Sequence, residues 1–293
     1  MVQIETIAVI GAGIMGRGIA HVAALGGYRT ILEDILPASL RRAEGEIRGN
    51  LGKAIEMGKV SKADADAALD RLEYASNVED AAREADLVIE AVPEEMDSKI
   101  EIFTLLDKIC RPHTILASNT SSLSVTEIAS VTYRARKILG MHFFNPVHKM
   151  RLLEIVRALE TDDETIAAGV EVGRRMGKEV VVIKEAPGFI TSRINAMIGN
   201  EAFYMLEEGI ASASDIDKAL KLGLNHPMGP FEMVDLVGLD TRLHILEYLH
   251  KSLGEKFRPA PLLVQYVKEG RLGRKTGKGV FDYPATATSA SKA

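Results

Sequence analysis

A strand, a glycine-rich turn, a helix and a carboxylate fill the first thirty-four residues in that order, and nothing else in the chain restricts the fold as much. In IETIAVIGAGIMGRGIAHVAALGGYRTILED, residues 4–34, Ile7 to Ile10 are apolar and largely β-branched, the pattern of a parallel strand buried on both faces. Gly11, Gly13 and Gly16 follow as G-x-G-x-x-G. A helical pattern then runs through Ile19, Val22, Ala23 and Leu25 to Gly26-Gly27, and Tyr28 to Leu32 reads as a second strand. Asp34 closes the unit, 18 residues beyond Gly16. Such a glycine motif alone is weak evidence; between a strand and a helix, with an acid at this distance, it describes a dinucleotide site. Gly11 permits the tight turn, Gly13 lets the backbone approach a pyrophosphate, and Gly16 lets helix and strand pack closely. The helix N-terminus offers N–H groups to the negative charge. Asp34 can accept from both ribose hydroxyls and repels a 2′-phosphate, so the expected cofactor is NAD rather than NADP. Glu33 is expected on the opposite face of the strand. The candidate cofactor contacts in this stretch are Gly11, Ala12, Gly13, Ile14, Met15, Gly16 and Asp34.

The chain has 293 residues, a net charge of −5 and one cysteine, Cys110. That length suggests two domains. The acidic balance argues against a general nucleic-acid or membrane-surface binder, which needs a basic excess. One cysteine forms no internal disulfide and suits a reducing compartment. No apolar run reaches the ~18 residues of a membrane span. The N-terminus enters a strand almost at once, so the expectation is a cytoplasmic protein without a leader.

Residues 38–71 are long for a simple crossover and read as a helical pair. Ile47, Leu51, Ala54 and Ile55 line one face, a turn falls near Gly58, and Ser61 caps the second helix with Asp64 at N3. The basic residues of this insertion, Arg41, Arg42, Arg48, Lys53, Lys59 and Lys62, form either a solvated face or a clamp over an anionic ligand. Strand signals recur at 86–94, 114–120, 137–144, 152–156 and 179–184, with helical stretches near 97–109 and at 163–176. That alternation predicts a doubly wound, mostly parallel sheet with helices on both faces, whose last strands can run antiparallel. From APGFITS, 186–192, onward the chain reads as helix. Ile190, Ile194, Met197, Ile198 and Met205 make an apolar stripe; Ser214 caps a second helix, Pro230 starts a short one, and Asp240 caps another that ends at Gly254. The expected architecture is α/β: a Rossmann-like domain over 1–186, an all-helical substrate and dimerisation domain over 187–283, and a disordered tail over 284–293. The high apolar content of the helical part points to a homodimer.

Polar clusters stand where strands of the first domain end, and open α/β sheets bind ligands there. They are Glu90 to Glu95, Ser118 to Ser122 and His142 to Asn145. Glu154 lies inside a short apolar strand, where an unpaired carboxylate is costly. A buried acid near a histidine suggests a base and the group that orients it, although His142 on its own reads first as a packed side chain, as most lone histidines among apolar residues do. His148, past Pro146, is expected to be exposed, and His21 to pack on the first helix. Met141, Phe143 and Phe144 read as core, and Cys110 as structural. No metal site is expected.

VIGAGIMGRGIA, EAVPE followed by Lys99, ASNTSSL, HFFNP, PGFI, HPMGPFE and LGRKTGKG occur in that order, from about residue 4 to 283. Through them the chain resembles the L-3-hydroxyacyl-CoA dehydrogenases, most of all the short bacterial 3-hydroxybutyryl-CoA type. HFFNP after SNTSSL is the most specific part, since the related dehydrogenases of gulonate or carnitine usually lack the paired phenylalanines. The resemblance implies NAD-dependent oxidation of an (S)-3-hydroxyacyl-CoA of short chain to the 3-ketoacyl-CoA, and the reverse. It implies that His142 removes the hydroxyl proton while hydride leaves C3 for the nicotinamide, that Glu154 holds and stabilises the imidazole, and that Ser121 hydrogen-bonds the substrate hydroxyl. Asn145 would orient substrate and cofactor. Glu94, Lys99 and Asn119 resemble contacts on the nicotinamide ribose side, Ala91 joins them as a candidate cofactor contact, and Lys275 reaches the cofactor from the helical domain. Asn50 and Lys53 are the implied CoA contacts. One position departs: asparagine often stands four residues after the glycine of PGF, where this chain has Ser192, with Asn195 one turn on. The alternatives are a dehydrogenase of a non-CoA 3-hydroxy acid, of gulonate or carnitine type, and a non-catalytic NAD(H)-binding protein. The joint presence of His142, Glu154 and Ser121 stands against the last. The expected partners are an acyl-CoA and a second copy of the chain, with no nucleic acid and no membrane.

Overall fold

The computed structural model describes residues 3–284, so the tail expected to be disordered lies, from residue 285 on, outside the described residues. The chain divides into two compact units, Met1–Ala186 and Pro187–Ala293. The strands of the first are β1 (Thr6–Ile10), β2 (Arg29–Glu33), β3 (Leu72–Ala75), β4 (Leu87–Glu90), β5 (Ile115–Ser118), β6 (Ile138–Phe143), β7 (Leu152–Arg157) and β8 (Glu179–Lys184). Its helices are α1 (Ile14–Leu25), α2 (Pro37–Glu56), α3 (Lys62–Asp70), α4 (Val78–Ala82), α5 (Met96–Ile109), α6 (Val125–Ser130) and α7 (Asp163–Arg175).

The strands form one sheet in the order β3-β2-β1-β4-β5-β6-β7-β8. β1 is buried along its whole length, as its apolar sequence demands, and pairs in parallel with β2 on one side and β4 on the other. The chain thus winds outward from β1 in both directions, and at such a switch point a crevice opens beyond the carboxyl ends of the strands. Pairing stays parallel through β6. β7 then runs antiparallel to β6 and β8 parallel to β7. The reversal sets His142 directly opposite Glu154.

Two glycines shape the turn after β1. Gly11 has φ +97°, a conformation that side chains rarely adopt. A Cβ on Gly16 would stand 1.7 Å from the Gly11 carbonyl oxygen, so only glycine lets α1 pack this closely. α2 and α3 form the helical pair, with Ile47 and Leu51 buried and the Ser61 hydroxyl accepting from Asp64 N. Sequence patterning does not reveal β3 or α4. In β3 only Leu72 is buried, too little apolar signal for an edge strand, and α4 is 5 residues long. β5 ends at Ser118; Asn119 N still donates to Glu90 O, and the side chains of Asn119 and Thr120 make the bonds described below.

The second unit contains α8 (Thr191–Glu207), α9 (Ala213–Gly223), α10 (Pro230–Val237), α11 (Leu239–Leu253) and α12 (Pro261–Lys268). Phe203, Phe231, Leu246, Leu249 and Phe257 are the centre of its core, and Phe203 meets Phe231 edge to face at 5.1 Å. Two helix starts differ from expectation. α9 is capped by Ser212, not Ser214, because only Ser212 stands three residues before Asp215, whose N–H its hydroxyl accepts. α11 starts at Leu239 directly after Gly238 (φ +107°), so Asp240 lies in its first turn rather than at its cap. Among the described residues no helix is long and apolar enough to cross a membrane.

Candidate active site

A cleft of about 970 Å³ opens beside the ends of β1, β2 and β4, lined by Gly11, Gly13, Ile14, Met15, Asp34 and Ala91 among others. Nothing lies within 4 Å of where a Cβ on Gly13 would stand. No side chain caps α1 at Gly13, so its first N–H groups suit an anion. These features fit a dinucleotide pyrophosphate. Asp34 accepts from Ala12 N at 3.0 Å and from Leu36 N at 2.9 Å, and so braces the glycine turn as well as lining the cleft. Ala12 is buried and contributes through that backbone bond, and Gly16 contributes through packing. Glu33, expected on the opposite face, lines the same cleft. Burial, then the neighbouring Asp34, pushes its carboxyl up to about 7. Ser76, Asn77, Val78 and Glu79 also line the cleft. Sequence reasoning misses them with α4; the signal available is the capping pattern of Asn77 with Asp80.

Two carboxylates tie β4, β5 and α5 together. Glu90 is fully buried and accepts from Lys99 Nζ (2.7 Å), Val92 N (2.8 Å) and Ser118 Oγ (2.6 Å). Lys99, 1% exposed, also stands 3.3 Å from Glu94. Glu94 accepts from Thr120 Oγ1 (2.6 Å), Ser121 N (2.8 Å), Ser121 Oγ (3.0 Å) and Ser122 N (3.2 Å). Burial alone would raise its carboxyl, but Lys99 and the bonds from Thr120 and Ser121 outweigh burial and hold it below its ordinary value. The SNTSS run therefore organises itself around Glu94, and Thr120 and Ser122 belong to the site although the motif singles out only Asn119 and Ser121. Asn119 Oδ1 accepts from Phe143 N at 3.0 Å, which fixes the end of β5 against the end of β6.

His142 Nδ1 lies 2.7 Å from Glu154 Oε2, and the two side chains are 7% and 1% exposed. Their contact follows from the register of β6 and β7. A carboxylate at Nδ1 fixes the tautomer and makes Nε2 the basic nitrogen. Phe144 is half-buried rather than core, its ring 4.4 Å from the imidazole. Asn145 is exposed in the loop that follows, joined to Pro146 by a cis peptide bond. Ser192 and Lys275 belong to the second unit. Ser192 is in the first turn of α8, and Lys275 Nζ meets both carboxylate oxygens of Asp240 at 2.7 Å.

Asn50 and Lys53 line a different cavity of the first unit, about 560 Å³ in volume. His148, expected to be exposed, is half-buried there, with its ring stacked on that of His21.

A glycine-turn dinucleotide cleft, a carboxylate-backed imidazole on the same sheet and a separate helical unit together define a nicotinamide-dependent oxidoreductase. Residues 6–186 match the NAD binding domain of 3-hydroxyacyl-CoA dehydrogenase, and residues 188–283 match its C-terminal domain. The chain belongs to the 3-hydroxyacyl-CoA dehydrogenase family. It is 45% identical over 282 residues to a probable 3-hydroxybutyryl-CoA dehydrogenase of Bacillus subtilis, covering 96% of this chain and 98% of that one. It is 44% identical to the 3-hydroxybutyryl-CoA dehydrogenase of Bradyrhizobium diazoefficiens, covering 96% of each. The crystal structure of (S)-3-hydroxybutyryl-CoA dehydrogenase from Ralstonia eutropha is similar with a TM-score of 0.93 at 42% identity, over 96% of this chain and 99% of that one.

Proposed function

We infer that the chain catalyses the NAD-dependent oxidation of an (S)-3-hydroxyacyl-CoA, of short chain such as 3-hydroxybutyryl-CoA, to the 3-ketoacyl-CoA, and the reverse. The observation that carries this reading is the 2.7 Å bond between His142 and Glu154 on the sheet that also bears the glycine cleft. Bound NAD supplies the hydride acceptor. His142 takes the hydroxyl proton at Nε2. Glu154 then faces an imidazolium, and a buried charge is tolerable only with such a partner. Ser121 hydrogen-bonds the substrate oxygen. Its hydroxyl donates to Glu94, which keeps Thr120 and two backbone N–H groups when that hydroxyl turns away, so the rotation costs little. Glu94 and Asn119 serve the nicotinamide ribose side, with Lys99 acting through Glu94. Asn145 and Ser192 are the polar groups assigned to the acyl part, and Lys275 to the cofactor. Asn50 and Lys53 stand in a basic cavity that suits the phosphorylated end of CoA.

The active form in this reading is a homodimer in a reducing, cytoplasmic compartment. Exposed apolar side chains of the second unit, Ile190 at the N-cap of α8, Ile194 and Met197 on it, and Leu222 and Leu224 at the end of α9, support it. The mass of a single chain by light scattering would overturn it.

The direct assay follows NADH absorbance with acetoacetyl-CoA against free 3-keto acids. Rapid oxidation with the thioester and little with the free acids is expected; the opposite order would reject the CoA assignment. Cofactor choice is tested at Asp34. Asp34→Ser with Ile35→Arg, the latter 79% exposed on the cleft rim, removes the carboxylate and adds a guanidinium. The ratio of kcat/KM for NADPH over NADH is expected to rise about tenfold or more, the worth of one charge-assisted hydrogen bond. An unmoved ratio would assign the ribose to another residue.

A further inference from the structure

A dinucleotide brings an anionic pyrophosphate, yet among the described residues no lysine, arginine or histidine lines the glycine cleft. The charged groups that do are Glu33 and Asp34 at the end of β2 and Glu79 from α4. Glu79 is paired with Arg83 one turn on. The walls from β1, α1, the loop after β4 and α5 carry no titratable side chain into the cleft. Two neighbouring carboxyls therefore remain. Glu33 stands opposite Ile10 in the register of β2 with β1, its backbone carbonyl accepts from Gly11 N at 2.9 Å, and it is 4% exposed. Asp34 gives one oxygen to Ala12 N and the other to Leu36 N. Those donors serve a carboxylate, so the negative charge of the pair belongs on Asp34. A second charge beside it, on the buried member, is costly.

We propose that Glu33 is the proton-uptake site of the cofactor cleft: it is a carboxylic acid in the dinucleotide complex, so the adenosine diphosphate half of NAD draws a proton from solvent wherever Glu33 starts ionised. The proposal rests on the NAD reading above. Burial, then Asp34, raises the Glu33 carboxyl to about 7, and the Gly11 N–H opposes the rise only in part. In the free cleft the group is mostly protonated at pH 6 and mostly ionised at pH 8. A pyrophosphate at the start of α1 adds negative charge nearby, and the dinucleotide displaces water from the cleft. Both effects favour the neutral acid. The sign follows: a ligand that prefers the protonated form binds best below about 7, and its affinity falls as pH rises through that value. The proton comes from solvent, bonds to a Glu33 carboxyl oxygen and returns to solvent when the cofactor leaves. As an acid Glu33 can also donate a hydrogen bond, which a carboxylate cannot, and Asp34 is left as the single charge for the ribose hydroxyls.

The test is calorimetry on the full chain at pH 6 and pH 8, in buffers of different ionisation enthalpy. The probes are NADH, ADP-ribose and nicotinamide mononucleotide. NADH and ADP-ribose are expected to bind about tenfold more weakly at pH 8, the loss that one group titrating near 7 produces over this interval. Net proton uptake should accompany binding at pH 8 and fade at pH 6. Nicotinamide mononucleotide, which lacks the adenosine half, should show neither effect. Glu33→Gln is neutral at every pH, and should bind NADH at pH 8 about as the parent does at pH 6, without proton uptake. Urea unfolding of the cofactor-free chain gives a readout that needs no ligand. Because the carboxyl is raised on folding, the parent should lose stability relative to Glu33→Gln from the ordinary carboxylate range up to about 7, and the gap should then stay level. Parent affinity for ADP-ribose that ignores pH, or a pH dependence that survives in Glu33→Gln, overturns the proposal and leaves the NAD reading standing. Proton uptake with nicotinamide mononucleotide but not with ADP-ribose places the titrating group elsewhere and overturns it too. No binding of NADH or ADP-ribose at either pH would sink the NAD reading along with it.

Discussion

His142→Ala is expected to lower turnover of acetoacetyl-CoA with NADH by about 10²- to 10⁴-fold, the usual contribution of a positioned general acid or base, while NADH still binds. The two effects separate because His142 is not among the residues lining the glycine cleft. Alanine also takes away the imidazole that faces Glu154, which is 1% exposed, so part of any loss could come from disturbed packing. His142→Gln answers this. Its amide can donate to Glu154 from a similar position but accepts no proton at pH 7, so turnover should fall into the same range with the fold intact. Glu154→Gln keeps the imidazole and removes the charge that stabilises its protonated form. Its loss should appear mainly in kcat, since the imidazolium that the carboxylate stabilises gains or gives up its proton in the chemical step. Steady-state rates paired with NADH fluorescence titration check all three variants. Unchanged turnover in both His142 variants rejects the imidazole as the base.

The strand, turn and acid around Gly11 are legible because local sequence determines them: a buried strand, a positive φ and a close helix contact each demand particular residues. The meeting of His142 with Glu154 is less so. It depends on β7 reversing against β6 in one register, and a slip of one residue would turn Glu154 to the other face. Sequence supplies only that a carboxylate within an apolar strand needs a partner. β3 and α4 escape detection since one is a weakly buried edge strand and the other a single short turn of helix, yet their junction walls the cleft. His21 and His148 each read as unremarkable alone. Only the fold stacks their rings, and only then does the orphaned Nδ1 of His21 stand out. The helix starts at Ser212 and Leu239 differ from expectation for a smaller reason: neighbouring polar residues compete to cap, and the spacing to Asp215 or the conformation of Gly238 decides.

Lys99→Met is expected to destabilise the first unit by about 3–5 kcal/mol, the range for breaking a buried ion pair by removing one partner. Methionine reproduces the unbranched stem, so the loss is electrostatic rather than a cavity. Glu90, fully buried, would keep its bonds from Val92 N and Ser118 Oγ but lose the ammonium 2.7 Å away. Glu94 would lose the cation that most strongly opposes its burial. Adding Glu90→Gln should recover most of the stability, because the amide oxygen still accepts from Val92 N, the amide NH2 can donate to Ser118 Oγ, and no unpaired charge remains. Urea unfolding of the parent, the single variants and the double variant gives the coupling directly. The cycle also decides between two roles for Lys99. A lysine that only touched the cofactor would, when replaced, cost NADH affinity and leave stability alone, and Glu90→Gln would rescue nothing. A lysine that holds Glu90 and Glu94 in place costs stability first. NADH binding then suffers through the loosened Thr120–Ser122 turn around Glu94, and both losses recover together in the double variant to the extent that Glu94 keeps its bonds from that turn.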